Sequence, residues 1–322
     1  MVKVSIIIPT YNRGYIIKKA LNSVYSQTFE DYEILVVDGG STDNTEKIMK
    51  DECIRDSRVR YIRHKINRGI SVARNAGILK SGGEYIAFLD SDDRWLPTKL
   101  KDQIQAFQRS RDTIGLIYTG FLIRGQNKKV HYCVPRTRER EGYIFKKLLA
   151  EGCFILISSV IVPRKILDEV GLFDKNMICE DYDLWLRITK KHPVKFISKP
   201  LVDYNVINRE RLSLKYDNMA LGLLFIYNEY RKDIKLLDVK YKYFFTIGAY
   251  YILGNKGKLG RYIIIKTILE NPKKMRYILF FFFSLFIKIK NISLINTKTG
   301  ELLLNIFKAR PHHCIEKEIM RV

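Results

Sequence analysis

Cysteine is sparse in this chain. Cys53, Cys133, Cys153, Cys179 and Cys314 are scattered and odd in number, and no two stand at a C-x-x-C spacing. That argues against a zinc site and leaves free thiols as the plain reading. His312, His313 and Cys314 are adjacent. Neighbouring residues rarely face one metal, so they read as a feature of the tail. With 8 prolines and 19 glycines the chain is neither collagen-like nor Pro-rich. No apolar run approaches the roughly 20 residues that span a bilayer. The opening MVKVSIIIPTYNR has neither the longer apolar stretch nor the small-residue cleavage site of a signal peptide. The expected compartment is the cytosol.

What is present points to a folded protein. Hydrophobic residues make up 47% and aromatics 12%, too much for a disordered chain, and 322 residues suit one large or two modest domains. Acidic residues are the scarcer sign, 34 against 57 basic, for a net charge of +23. Such an excess suits nucleic acid, anionic lipid or a phosphorylated substrate. It is densest from Arg231 to Val322, where 19 basic residues face 6 acidic ones.

Residues 4–8, VSIII, form a continuous β-branched run that suits a strand buried on both faces. Buried or half-buried strands are also expected at 33–37, 58–64, 84–93, 115–120 and 157–163, with helices at 15–26, 43–50, 70–80, 97–109, 164–171 and 180–192. The stretch 121–150 is irregular, with a hairpin and a short helix at 144–150, and closing strands fall in 195–206. This alternation predicts an α/β fold with a mostly parallel sheet flanked by helices. From about 217 the pattern turns helical, with segments at 243–254, 261–272 and 275–290. The expected division is residues 1–215 and a basic, aromatic-rich helical extension, 216–322. Within the extension, Ile278–Ile287 is apolar except Ser284 and flanked by Lys273, Lys274, Arg276, Lys288 and Lys290. It is too short to span a bilayer, so it is either core or an interfacial segment drawn to anionic headgroups.

Three polar clusters end predicted strands: Thr10–Asn12, Asp38–Asp43 and Asp90–Asp93. Ligands of parallel α/β sheets sit outside the carboxyl ends of the strands, so together the clusters predict one shared site. Asp90 and Asp92 are hard oxygen ligands suited to Mg²⁺ or Mn²⁺ held jointly with substrate phosphates. Asp93 either caps the next helix or supports the site. Arg74 could offer a fork of donors to phosphate oxygens. A general base is sought in Glu180, Asp181 and Asp183, with Asp181 preferred; their spacing alone does not choose.

Five motifs carry a resemblance to family two glycosyltransferases of the GT-A fold. They are VSIIIPTYNR (4–13), VVDGGSTDNT (36–45), NRGISVARNAGI (67–78), YIAFLDSDDRWLP (85–97) and EDYDLWLR (180–187), in the family's order over about residues 1–205. The resemblance implies a Rossmann-like sheet and inverting transfer from a nucleotide-diphosphate sugar, with a divalent metal and no covalent intermediate. It places Thr10, Tyr11 and Asp38 at the nucleoside, Arg74 at ribose or phosphates, and Asp90 between ribose and metal. Asp92 becomes the main metal ligand, Asp181 the base, and Trp95 part of the rim. One departure stands out: Gly39 replaces the usual second Asp that reads the uracil edge, which leaves Asp38 or backbone to recognise the base. The Q-x-x-R-W signature of processive members is absent, which favours addition of a single sugar.

The expected partners are a nucleotide-diphosphate sugar, with UDP-sugars favoured, a glycan or lipid-linked acceptor, and an anionic membrane surface on the cytoplasmic side. Nucleic acid is not expected, because no zinc spacing, RRM-type or helix-turn-helix signature accompanies the charge. Alternatives are a non-catalytic nucleotide-sugar binder and a nucleotidyltransferase, which would release pyrophosphate instead of nucleoside diphosphate.

Overall fold

The apolar runs at the start of the chain become the centre of a sheet. The computed structural model describes residues 2–110, 112–124, 130–133, 140–205, 216–254, 256–272 and 275–286. Among them the chain divides into two compact units. The first holds the described residues up to Phe145 together with Phe154–Asn176 and Glu180–Asn205. The second holds Lys146–Cys153, Met177–Cys179 and the described residues from Tyr216 onward.

In the first unit β1 (Val4–Thr10), α1 (Ile17–Tyr25), β2 (Tyr32–Asp38), α2 (Thr45–Arg55), β3 (Val59–Arg63), α3 (Ile70–Lys80) and β4 (Tyr85–Phe88) alternate as predicted. A two-residue strand β5 (Arg94–Trp95) precedes α4 (Lys99–Gln108), and β6 (Leu116–Arg124) pairs with β7 (Val130–Cys133) in the expected hairpin. After α5 (Phe145–Glu151) come β8 (Ile161–Pro163), α6 (Arg164–Val170), α7 (Glu180–Lys191) and β9 (Val194–Asn205). The sheet order is β3-β2-β1-β4-β8-β6-β9-β5, with β7 on β6. From β3 to β4 every pairing is parallel, as is β6 with β9, while β8 runs antiparallel to both neighbours. All seven residues of β1 are buried, which explains why its sequence does not alternate.

Two expectations change in detail. The strand predicted at 157–163 is a 3-10 turn, Ile157–Ser159, followed by the short β8. The turn's carbonyls are satisfied by side chains rather than a ladder: Trp95 Nε1 donates to Ser158 O at 2.7 Å and Gln103 Nε2 to Ser159 O at 2.9 Å. The closing strands run as one, β9, whose register against β6 shifts around Gly120.

The second unit is helical: most of α5, then α8 (Tyr216–Glu229), α9 (Arg231–Leu236), α10 (Lys240–Leu253), α11 (Gly257–Glu270) and α12 (Met275–Phe286). Phe245, Ala249, Ile252, Ile264, Tyr277 and Phe280 make its main core, where the Phe245 and Tyr277 rings stack with centroids 4.2 Å apart. Tyr277 and Phe280 are therefore interior, whereas Leu279 and Phe282 of the same helix are exposed. Residues 287–290 and His312–Cys314 lie outside the described residues. Among the described residues no helix is long and apolar enough to cross a membrane.

Candidate functional site

β1 lies between β2 and β4, and the register sets Thr10 beside Asp38 at the carboxyl ends of β1 and β2. Asp90 follows β4 on the other side of β1. The three polar clusters thus emerge side by side from the parallel half of the sheet.

Asp38 is fully buried and its carboxylate is spent on its own loop. Oδ1 accepts from Gly40 N at 3.0 Å, Ser41 N at 2.8 Å and Ser41 Oγ at 2.6 Å, and Oδ2 accepts from the Tyr61 hydroxyl. Burial, reinforced by that carboxylate, pushes the Tyr61 hydroxyl pKa well up. The β1 and β2 loops are sewn together. Asn12, in the left-handed region at φ 53°, donates its backbone N–H to Ser41 Oγ at 2.8 Å and accepts from Thr42 N at 2.8 Å. Gly14 N donates to Asp43 Oδ2 at 3.0 Å. Tyr11 stays 43% exposed, its ring 3.5 Å from where a Cβ on Gly39 would sit. Thr10 Oγ1 is buried without a hydrogen-bond partner, a polar atom that a ligand would satisfy.

Arg74 is the strut of the site. It is 2% exposed, and it donates from Nη1 to Glu180 Oε1 at 2.6 Å and from Nη2 to Asp90 Oδ1 at 2.9 Å. One side chain of α3 thereby ties the β4 loop to the first turn of α7. Its guanidinium lies over the Phe173 ring, 5.4 Å from the centroid. Asn75, next along α3, exchanges two hydrogen bonds with the Phe173 backbone, at 2.8 and 3.0 Å. Arg74 thus holds Glu180 and Asp90 through its two Nη atoms, while its Nε is buried without a hydrogen-bond partner.

The three acids that open α7 have separate duties. Glu180 holds Arg74. Asp183 pairs with Arg187, 2.8 Å from Nη2. Asp181 forms no ion pair among the described residues and accepts from Tyr182 N, at 2.8 Å. It keeps some surface open while protein surrounds it. Burial raises its carboxyl pKa, Arg74 opposes that, and the charge on Asp90 adds to it. Burial likewise pushes Glu180 up, to about 7. Asp90, Arg74, Glu180 and Asp181 therefore act on one another in one place, while Asp92 lies two residues beyond Asp90 in the same turn and is partly exposed.

No pattern in the sequence marks Ser158. Its Oγ accepts from Asp90 N at 3.1 Å and donates to Asp93 Oδ2 at 2.6 Å, and its carbonyl receives Trp95 Nε1. Asp93, fully buried, also accepts Asn205 N at 3.1 Å, which makes it a support of the acidic turn. Trp95 is 3% exposed and lies beneath that turn instead of at a rim. Lys99 Nζ sits over its ring, 3.9 Å from the centroid, and burial drives that amine's pKa well down.

Among the described residues no three His, Cys, Asp or Glu side chains gather as a metal cage. Asp90 and Asp92 supply two carboxylates, one of which has an oxygen on Arg74. That donor set fits a hard cation shared with substrate phosphates, the usual habit of Mg²⁺.

Residues 5–170 match the model of Glycosyl transferase family 2. An Escherichia coli protein named UDP-Glc:alpha-D-GlcNAc-diphosphoundecaprenol beta-1,3-glucosyltransferase WfgD is 33% identical over 196 residues, covering 61% of this chain and 73% of that protein. A Rickettsia bellii protein described as an uncharacterized glycosyltransferase is 32% identical over 223 residues, 69% of this chain; this chain spans only 31% of that relative's length. Among solved structures, S. aureus TarS 1-349 in complex with UDP-GlcNAc superposes with a TM-score of 0.59 at 20% identity, over 99% of this chain and 90% of that one. Mannosyltransferase PcManGT from Pyrobaculum calidifontis, in complex with GDP-Man and Mn²⁺, also gives 0.59, at 16% identity, over 98% and 86%. At these identities the two structures show a common fold.

Proposed function

The chain belongs to glycosyl transferase family 2, and on that premise we propose that it moves one sugar from a nucleotide-diphosphate sugar to a hydroxyl acceptor, inverting the anomeric carbon. The observation that carries this reading is the division of labour at α7. Glu180 and Asp183 are each taken by an arginine, which leaves Asp181 as the carboxylate available beside Asp90.

Thr10 and Tyr11 line the nucleoside position, where the orphaned Thr10 hydroxyl finds a partner and the exposed Tyr11 ring offers a flat apolar face. Asp38 contributes by fixing the loop that carries Gly39, and Arg74 by fixing Asp90. Asp92 and Asp90 are the residues that would hold Mg²⁺ or Mn²⁺, which would supply positive charge to the donor diphosphate. Asp181 takes the proton of the acceptor hydroxyl, the oxygen bonds to the anomeric carbon from the far face, and the bond to the diphosphate breaks, releasing nucleoside diphosphate. The name of the E. coli relative supports a UDP-sugar as donor and a lipid-linked diphosphate glycan as acceptor; we propose that the two meet at an anionic membrane surface on the cytoplasmic side. Residues 1–215 would then hold the transferase and residues 216–322 the membrane-facing part.

The test is nucleoside diphosphate release from a panel of nucleotide sugars with Mn²⁺. Asp181→Asn keeps donor affinity and loses about 10²–10⁴-fold in turnover. Asp92→Ala abolishes the metal dependence of donor binding in calorimetry. Full turnover in Asp181→Asn, or pyrophosphate as product, overturns the reading.

A further inference from the structure

The outward side of α11 carries groups that the second unit leaves unused. Leu259, Tyr262, Ile265 and Leu269 fall on one stripe of the helix and are 43%, 54%, 39% and 75% exposed, while Gly260, Ile264 and Thr267 face the interior. Single exposed apolar residues need no explanation, but four on one stripe do. Lys258, Arg261 and Lys266 are interleaved with them on the same arc. Lys258 and Arg261 form no ion pair among the described residues, and Lys266 Nζ sits over the Tyr262 ring, 5.0 Å from its centroid. The one acid on the helix, Glu270, is spent on Lys240 Nζ at 2.9 Å. The face is therefore apolar and cationic at once.

That chemistry selects its partner. A second copy laid on this stripe would bring three like charges against three, which disfavours self-association. A neutral apolar surface would leave the cations unanswered. A bilayer rich in anionic lipid answers both halves, with headgroup phosphates for the cations and the acyl boundary for the stripe. The helix has 14 residues and cannot span, so it lies in the interface plane. We propose that α11 is the face by which this chain rests on an anionic lipid bilayer. The proposal deepens, and rests on, the reading of a membrane surface as partner. It sets the contact at 258–269 rather than at 278–287, where Phe280 is core although Leu279 and Phe282 are exposed.

The experiment is flotation of the full chain with vesicles of equimolar phosphatidylglycerol and phosphatidylcholine, and with phosphatidylcholine alone. Anionic vesicles carry the protein and neutral ones do not. At about fivefold per cation, K258Q/R261Q/K266Q lowers partitioning by roughly a hundredfold, and L259S/L269S lowers it by at least about tenfold. All five positions are at or near the surface, and circular dichroism confirms that the variants fold. Three outcomes overturn the proposal: flotation of both variants at the unaltered level, no flotation of the unaltered chain, or a dimer in sedimentation that L259S/L269S converts to monomer. Donor hydrolysis without vesicles separates the two readings. If it fails while flotation follows α11, the transfer chemistry falls and the docking face stands; if it proceeds while flotation ignores α11, only the docking face falls.

Discussion

Glu180 and Asp181 are adjacent in the first turn of α7, yet the fold gives one to Arg74 and leaves the other to the site. Both carboxyls are raised, chiefly by burial, so the folded state holds protons that the unfolded chain has already released. Their contribution to stability is therefore fullest below the ordinary carboxylate range and is lost as pH rises through the raised values. Activity runs the other way, because only ionised Asp181 accepts a proton. The expected acid limb of kcat/KM, which reports the free enzyme, lies above the ordinary Asp value of about 4 and displaced toward neutrality. The limb belongs to the pair rather than to either residue. A pH-rate profile with its limb at or below 4 removes Asp181 from the role of base. The acids themselves were legible in the sequence; their allocation was not, since it depends on which arginine each meets. Ser158 was invisible for a related reason. A serine in an apolar run shows no pattern, and its importance comes from the backbone of a turn 68 residues away.

Among the elements, the parallel half of the sheet was readable because strands buried on both faces leave unbroken apolar runs, as in β1 and β2. The turn at 157–159 was not, because its carbonyls are paired by Trp95 and Gln103 from elsewhere in the chain. The crossing of α10 and α11 was equally hidden. A Cβ on Gly260 would run into Gly248 O and come within 2.8 Å of Ile252 N, and one on Gly248 would meet Gly260 O at 2.9 Å. Helix propensity alone says that Gly→Ala stabilises by about 1 kcal/mol. Contact with backbone reverses the sign, because neither helix can yield by turning a side chain. Gly260→Ala is expected to destabilise the protein by about 1–3 kcal/mol, the usual range for overpacking. Urea unfolding decides it: an unchanged or raised midpoint shows that the two helix backbones do not approach this closely.

At the scale of the whole molecule the net charge of +23 is the feature that no single contact explains. The site gathers carboxylates, two of them on Arg74, so its side chains alone do not attract an anionic donor; the cation that Asp90 and Asp92 would hold acts at short range. The field of the remaining cations, acting at a distance, is expected to speed encounter with a nucleotide diphosphate. Such a field is screened over about 30 Å at 0.01 M salt and about 3 Å at 1 M. Raising ionic strength across that range should lower kcat/KM for the donor severalfold, because encounter slows, and leave kcat nearly unchanged, because the bound donor is held by short contacts that salt screens little. The two constants, measured at a fixed Mn²⁺ concentration, separate these effects. A kcat that falls in step with kcat/KM would place the salt sensitivity in the chemical step, and the overall charge would then have no part in bringing the donor in.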